Sequence, residues 1–393
     1  MEKTVILGID GWYPQVDGGT NVVLSYRENL KKVCDCEIVA PSYGKKADEE
    51  GEREYCSGVF HNFSLGVPFI SFRNSFPGFD RRLKKFLNEK KPCLLHAHSP
   101  FAICGYFSRY GKKHKIPVVF TFHTRFKDEF MRVTHSRLAT AIMMSVIMRN
   151  IRKADYVWAV SASAADALRG YGYKGEIRVM PNATDMPVAT PEELATLSLR
   201  AEKEYGILPG ERILIFAGRV VSVKNIGFAL SVVAELKRRG FACRFFIVGG
   251  GDELEYFKKY AERVGVSDMV TFTGYIGDRQ QIRSLYARAD LLLFPSEFDT
   301  FGLVVMEAAA CRTPSLVPEG SGAAELIKDG VTGYTQPLEV PLWADKIEHV
   351  FEGGQHDVVS SACTSVVSGW DEAVARAVEV YGEIIADYTA KHS

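Results

Sequence analysis

The chain has 393 residues, 47% hydrophobic and 24% charged, with 48 basic and 48 acidic side chains. That is a soluble globular composition with room for two or three domains, and its formal net charge of zero argues against a general affinity for nucleic acid. The eight cysteines are scattered without a CxxC pair, which argues against structural zinc and fits reduced core thiols in the cytoplasm.

The N-terminus MEKTVILGID lacks the long apolar core and small-residue cleavage site of a secretory signal. TVILGI, CEIVA, CLLHAH, PVVFTFH and YVWAV then read as buried strands, most followed by segments with helical spacing. Strand alternating with helix predicts a parallel sheet covered on both faces. The charged stretch GKKADEEGEREY, residues 44–55, reads as a solvated loop. Residues 80–91, DRRLKKFLNEKK, set Arg81, Arg82, Lys84, Lys85, Lys90 and Lys91 against Asp80 and Glu89, with Leu83, Phe86 and Leu87 as an apolar stripe. Two accounts stay open for it: a solvated helix packing its stripe into the core, or a basic amphipathic helix on anionic lipid joined by the segment 126–153. The longest apolar run, LATAIMMSVIM, falls short of the roughly 18 residues that a membrane span requires. His96 and His98, two apart on a predicted strand, share one face; a structural or cleft-edge place suits them better than a metal.

Around Met180 the texture changes. MPNATDMPVATPEE reads as a linker followed by a capped helix. The alternation restarts with RILIFAG, CRFFIVGG, MVTFTGY, DLLLFPS and PSLVP, so the fold class is α/β, two Rossmann-like doubly wound domains facing across a cleft. The boundaries fall at 1–188 and 189–371, with a helix near 372–393 packing back on the first domain.

Ligands of such sheets sit beyond the carboxyl ends of the strands, and three groups of residues lie there. Arg219 and Lys224 follow RILIFAG and suit a diphosphate. Gly249, Gly250 and Gly251 close the next strand, without the GxGxxG pattern of a dinucleotide site. In FPSEFDTFGLVVMEAAA a helix is expected to begin near Phe301. Its free N–H groups place Thr300, Phe301, Gly302 and Leu303 where a phosphate docks. Glu307, two turns in, suits ribose hydroxyls and Asp299 those of a sugar. A structural account is equally open from these residues: Glu307 pairs with an internal arginine and Asp299 caps the helix. In the first domain, Gly18 and Gly19 precede another helix start near Thr20.

Ten segments in order, YPQVDGG, LLHAHSP, TFHTRF, VSASAADAL, VMPNATD, GRVVSVKN, IVGGGDE, FTGYI, FPSEFDTFGLVVMEAAA and PEGSGAAELIKDGVTGY, resemble the retaining glycosyltransferases of family 4, with the two-Rossmann GT-B fold. The resemblance spans about residues 4–340. Its paired-acid signature reads Asp299 to Glu307, with aspartate, one methylene shorter, for the commoner glutamate.

The resemblance implies that Glu307 holds the ribose of a nucleotide sugar and Asp299 the donor-sugar hydroxyls. The backbone of Phe301, Gly302 and Leu303 takes the phosphates, and Arg219 and Lys224 neutralise the diphosphate. Tyr275 and Ile276 face the nucleobase. Gly18 and Gly19 close over the phosphates, and His123 of TFHTRF sits by the donor sugar. It implies transfer of a hexose, UDP-sugar first and GDP-sugar second, to a hydroxyl of a lipid or glycan acceptor with an α-glycosidic bond. No bound cofactor, metal or nucleic acid is implied. A cytoplasmic protein is expected, with a peripheral place on the inner membrane face left open. The alternatives are a GT-B nucleotide-sugar epimerase and a non-catalytic sugar-nucleotide-binding scaffold; the presence of Arg219, Lys224, Gly302 and Glu307 counts against the scaffold.

Overall fold

A computed structural model describes residues 4–14, 18–54, 56–67, 70–352 and 356–392. The chain divides into two compact units, Met1–Asn182 with Trp370–Ser393, and Ala183–Gly369.

The first unit runs β1 (Thr4–Gly8), α1 (Gly18–Leu30), β2 (Asp35–Pro41), α2 (Lys45–Glu54), β3 (Val59–Asn62), β4 (Ser64–Val67), β5 (Ile70–Ser75), α3 (Arg81–Lys90), β6 (Leu94–Ala97), α4 (Ala102–His114), β7 (Val118–Phe122), α5 (Phe126–Thr134), α6 (Arg137–Ile151), β8 (Tyr156–Ala159), α7 (Ala162–Gly170) and β9 (Arg178–Val179). The second runs α8 (Pro191–Tyr205), β10 (Ile213–Ala217), α9 (Ile226–Arg238), β11 (Arg244–Val248), α10 (Leu254–Arg263), β12 (Val270–Gly274), α11 (Arg279–Arg288), β13 (Leu291–Leu293), α12 (Leu303–Ala310), β14 (Ser315–Pro318), β15 (Tyr334–Gln336), α13 (Val340–Glu352) and α14 (His356–Ala362). The last helix, α15 (Trp370–His392), belongs to the first unit.

Each unit is built on a parallel sheet, in the order β3-β2-β1-β6-β7-β8-β9 and β12-β11-β10-β13-β14-β15. The central strands are short runs buried on both faces; TVILG of β1 and ILIFA of β10 are buried at every position, as sheets covered by helices require. In both sheets the order reverses beside the first strand of the unit. The crevice beyond β1 and β6, and that beyond β10 and β13, are therefore the topological switch points where ligands of such sheets sit.

Local signals set the helix boundaries. Thr190 and Glu193 form a reciprocal capping box at α8, with Pro191 in the first turn and Gly206 in the left-handed conformation closing the helix. Helix α15 joins the first unit through aromatic packing: Trp370 meets Tyr26 with centroids 5.1 Å apart, and Tyr381 stacks on Trp158 at 5.3 Å.

Two expectations are corrected, and a hairpin was not foreseen. The charged stretch 44–55 is not a loop: residues 45–54 form α2, where Lys45–Glu49 and Lys46–Glu50 pair one turn apart, while residue 55 lies outside the described residues. An antiparallel hairpin, β4–β5, had no reading of its own in the sequence. Its two strands are four and six residues long, too short for a periodic signal. Finally, α12 begins at Leu303, not near Phe301, because Gly302 at φ +84° bends the chain into it.

Candidate active site

The crevice beyond β10 and β13 collects charge. Lys224, in the turn after β10, forms an ion pair with Asp299, in the turn after β13. Lys224 Nζ also lies 5.4 Å from the centre of the Phe294 ring, a favourable cation–π position. The other Asp299 carboxylate oxygen accepts the backbone N–H of Gly302 at 2.9 Å and of Phe301 at 3.3 Å. Burial would raise the Asp299 carboxyl, but the Lys224 charge, its hydrogen bond and the two amides hold it below its ordinary value.

Thus Asp299 caps the approach to α12, and the N–H groups of Phe301 and Gly302 are already engaged. Val305 N–H donates to the Gly302 carbonyl at 2.9 Å, so by helix geometry the first-turn amides left to an anion are those of Leu303 and Val304. Thr300 is buried, and the loop after β14 packs against it. A Cβ on Gly302 would come 2.7 Å from the Ala323 Cβ, so the residue is glycine for both its angle and its space.

Glu307 lies on α12, its side chain 18% exposed. Its carboxylate faces Arg279 at 3.3 Å and accepts the Tyr286 hydroxyl at 3.3 Å, and Arg279 also pairs with Asp185. Burial raises the Glu307 carboxyl despite the opposing pull of Arg279. Of the structural contacts foreseen for this pair of acids, the arginine partner of Glu307 is present, while Asp299 closes the turn ahead of α12 rather than capping the helix, whose N-cap Gly302 has no side-chain cap. These contacts leave lone pairs over, since a carboxylate accepts about four hydrogen bonds.

The glycine triplet has a mechanical reason. Gly218 N–H donates to Val248 at 2.9 Å and Val220 N–H to Gly250 at 2.8 Å, pinning the segment around Arg219 against the end of β11. A Cβ on Gly249 would stand 1.9 Å from the Gly218 carbonyl oxygen. Gly249 thus supports the exposed Arg219 from beneath. Tyr275 is 79% exposed and lies beside Gly250, while its neighbour Ile276 is buried. A cavity of about 590 Å³, lined by Arg212, Asp290 and Arg312 among others, lies at the opposite, amino-terminal ends of β10, β13 and β14, away from these residues.

In the first unit, Gly18 and Gly19 open α1, and Gly18 is exposed. Of the adjoining YPQVDGG segment, residues 15–17 lie outside the described residues. His96 and His98 do share a face of the sheet, with ring centres 4.0 Å apart. His98 Nδ1 lies 2.9 Å from His123 Nε2, and His96 contacts the Tyr381 and Thr121 hydroxyls, each at 2.6 Å. Burial keeps all three imidazoles neutral, holding His123 down to about 4 and the other two well below their ordinary value. Among the described residues no group of three or more His, Cys, Asp or Glu is placed to hold a metal ion.

The sequence reading did not name Arg279, Tyr286 and Asp185 around Glu307, nor Asp10 in the first unit. Arg279 and Tyr286 stand seven apart on α11, two turns on one face, which was a usable signal. Asp10 accepts the Ile103 N–H at 3.3 Å from each carboxylate oxygen, and burial raises it to about 7. Nothing in its local sequence announces that pairing, 93 residues away.

Comparison with known proteins agrees along the chain. The profile described as Glycosyl transferases group 1 matches residues 199–359, and Glycosyltransferase Family 4 matches 16–186. An alpha-monoglucosyldiacylglycerol synthase of Streptococcus pneumoniae is 24% identical over 91% of this chain and 77% of its own. A GDP-mannose-dependent alpha-mannosyltransferase of Corynebacterium glutamicum is 25% identical over 97% of this chain and 89% of its own. Among solved structures, the Anabaena protein HepE in complex with UDP superposes with a TM-score of 0.75 at 18% identity, covering 97% of this chain and 100% of that one. The sucrose-phosphate synthase of Thermosynechococcus elongatus gives 0.79 at 17% identity, covering 98% and 100%.

Proposed function

The chain belongs to the group 1, family 4 glycosyltransferases of the GT-B fold, and on that premise we propose that it moves a hexose from a nucleoside-diphosphate sugar to an acceptor hydroxyl with retention, forming an α-glycosidic bond. The observation that carries this reading is the Lys224–Asp299 pair at the switch point of the second sheet, beside the start of α12. On this reading the second unit, Ala183–Gly369 against the expected limits 189–371, is the donor-binding domain, and the first, Met1–Asn182 with α15 against the expected 1–188, is the acceptor-side domain. UDP-sugar is the favoured donor, supported by the UDP complex of HepE; the mannosyltransferase relative keeps GDP-sugar as the second.

The chemistry follows from the leaving group. The bond from the sugar C1 to the phosphate oxygen breaks, and the diphosphate takes the electron pair. The acceptor oxygen bonds to C1 on the same face, and its proton passes to the departing phosphate oxygen. Lys224, Arg219 and the first amides of α12 stabilise the charge as it forms. Asp299, already charged and oriented, accepts from sugar hydroxyls through its spare lone pairs. Glu307 accepts from the ribose, with Tyr275 and Ile276 at the base. No resident cofactor or metal takes part.

The acceptor is a lipid or a glycan, and the surface of the first unit supports the lipid. The stripe of α3 is spent on the core, since Leu83 and Leu87 are fully buried. The exposed apolar residues lie elsewhere. Phe63 and Phe79 stand on either side of Phe76, next to Asp80, which caps the basic helix α3. On α6, Leu138, Ile142 and Val146 are 72%, 59% and 49% exposed, one turn apart, between Arg137 and Arg149. Apolar residues flanked by cations suit an anionic bilayer surface, which gives a cytoplasmic protein a peripheral place on the inner membrane. Among the described residues no helix is long and apolar enough to cross a membrane.

Incubation with UDP-glucose and diacylglycerol in anionic vesicles tests the reading. Release of UDP coupled to an α-linked product by NMR is expected; a β-linked product, or a trapped glycosyl–enzyme adduct, would overturn the same-face mechanism. Flotation with those vesicles should weaken in Leu138→Asp/Ile142→Asp, and equal flotation of variant and parent would remove the lipid surface.

A further inference from the structure

The histidines of the first unit carry an inference that rests on the reading of His123 as a donor-sugar residue. His98 is 4% exposed, and its Nε2 is buried without a hydrogen-bond partner. Its Nδ1 lies 2.9 Å from His123 Nε2. The two rings are inclined by only 18° with centroids 5.2 Å apart. That separation is the nitrogen-to-nitrogen distance plus about one ångström of ring at each end, so the rings lie edge to edge with the hydrogen bond in their planes, the strong geometry for an imidazole N–H.

One proton serves this contact, because both rings are neutral and one nitrogen must donate to the other. If His123 were the donor, His98 would carry its own proton on Nε2, and that N–H would be buried with no acceptor. If His98 is the donor, its Nε2 is a bare lone pair, and an orphaned acceptor is tolerated better in a protein interior than an orphaned donor. We propose that His98 is a positioning residue that donates from Nδ1 to His123 Nε2 and so fixes His123 as the tautomer with its proton on Nδ1.

The neighbours support a held arrangement. His96 stacks within 4.0 Å of His98 and is itself tied at both nitrogens, to Tyr381 on α15 and to Thr121 on β7. Tyr381 in turn lies flat on Trp158. The His98 ring is thereby wedged between a fixed imidazole and the His123 ring, and the sugar-facing group keeps one donor nitrogen rather than exchanging between two. In that tautomer His123 carries an N–H at Nδ1, a donor to an oxygen acceptor, whereas the other tautomer carries a lone pair there and accepts from a hydroxyl.

The ring-nitrogen spectrum of the histidine-labelled full-length protein decides the tautomer without any substrate. Wild type is expected to show His123 protonated at Nδ1 with Nε2 accepting; a proton on Nε2 would overturn the proposal. In His98→Leu the His123 signals should move toward a mixture of tautomers, and kcat should fall about tenfold with KM for the donor and the stabilisation by UDP unchanged. His98→Asn places an amide N–H near the Nδ1 position and should restore both the spectrum and kcat. Equal kcat in wild type and His98→Leu, or no difference between the leucine and asparagine variants, would reject the positioning role. Failure of UDP to stabilise the wild type speaks against the donor reading instead, and leaves the tautomer to be judged by the spectrum.

Discussion

At the carboxyl ends of β10 and β13 the polar side chains are charged and paired: Lys224 with Asp299, and Arg279 with Glu307. At the carboxyl ends of β6 and β7 the same edge of the other sheet carries His98 and His123, neutral and joined through a single proton. The topology around the two edges is alike, with a switch point beside the first strand of each unit. What differs is how each meets the cost of burying polar groups. Charges are retained where partners of opposite sign are built in. Where none are, burial removes the charge and leaves a dipole whose direction carries the information. On the proposed reading the first edge handles a diphosphate, which needs positive potential, and the second a sugar, which needs directed hydrogen bonds.

The sharpest break of this contrast is removal of the proposed ribose partner. Glu307→Ala deletes an acceptor worth two charge-assisted hydrogen bonds of about 1.5–3 kcal/mol each, so nucleoside-diphosphate affinity should fall on the order of 10²- to 10⁴-fold by calorimetry. Next comes the cation: Lys224→Ala should lower kcat on the order of 100-fold, the scale of losing one stabiliser of developing charge. It should also shift the acid limb of the rate upward in pH. Asp299 is held below its unfolded value, so its contribution to stability is present above the ordinary carboxylate range and is lost only as pH falls through its depressed value. Without Lys224 that depression shrinks, and melting in mild acid should show the loss.

The third test moves to the first unit. Asp10 is raised to about 7, so the folded state holds its proton more tightly than the unfolded chain does. Stability then falls as pH rises from about 4 to about 7 and levels above that. Asp10→Asn should stabilise by roughly 1–2 kcal/mol at pH 8, once discounted for its partial exposure, and the gain should vanish near pH 4. The smallest effect is Glu307→Gln. Because burial raises Glu307, its charge costs stability at neutral pH, and the neutral amide should stabilise the fold by less than about 1 kcal/mol, seen as a small rise in melting temperature, while still weakening nucleotide binding.

Ten strands were legible because each is a short, largely apolar run, and the parallel class follows from their alternation with helices; the edge strands β3 (VFHN), β9 (RV) and β15 (YTQ) were not, being too short and polar to read. The linker near Met180 and the cap at Thr190 were as plain as those ten. The hairpin β4–β5 was not, since strands of four and six residues carry little period, and α2 was hidden by its charge, which favours a loop until the one-turn pairs are counted. At the site, Asp299 and Glu307 stood out as acids beside an apolar helix, and Lys224 as a cation after a strand. That Asp299 and Lys224 contact each other, 75 residues apart, depends on the β10–β13 pairing, which no local pattern encodes. The same holds for His98 and His123: HAH and TFHT were each visible, but their contact needs β6 beside β7.

The most direct test of the central claim is titration calorimetry of UDP, GDP and their nucleosides into wild type, Lys224→Ala and Glu307→Ala. The account predicts that at least one nucleotide binds the wild type, that Glu307→Ala weakens it 100-fold or more, and that Lys224→Ala weakens the diphosphate more than the nucleoside. Absence of binding at millimolar nucleotide, or equal affinity in all three proteins, would contradict it.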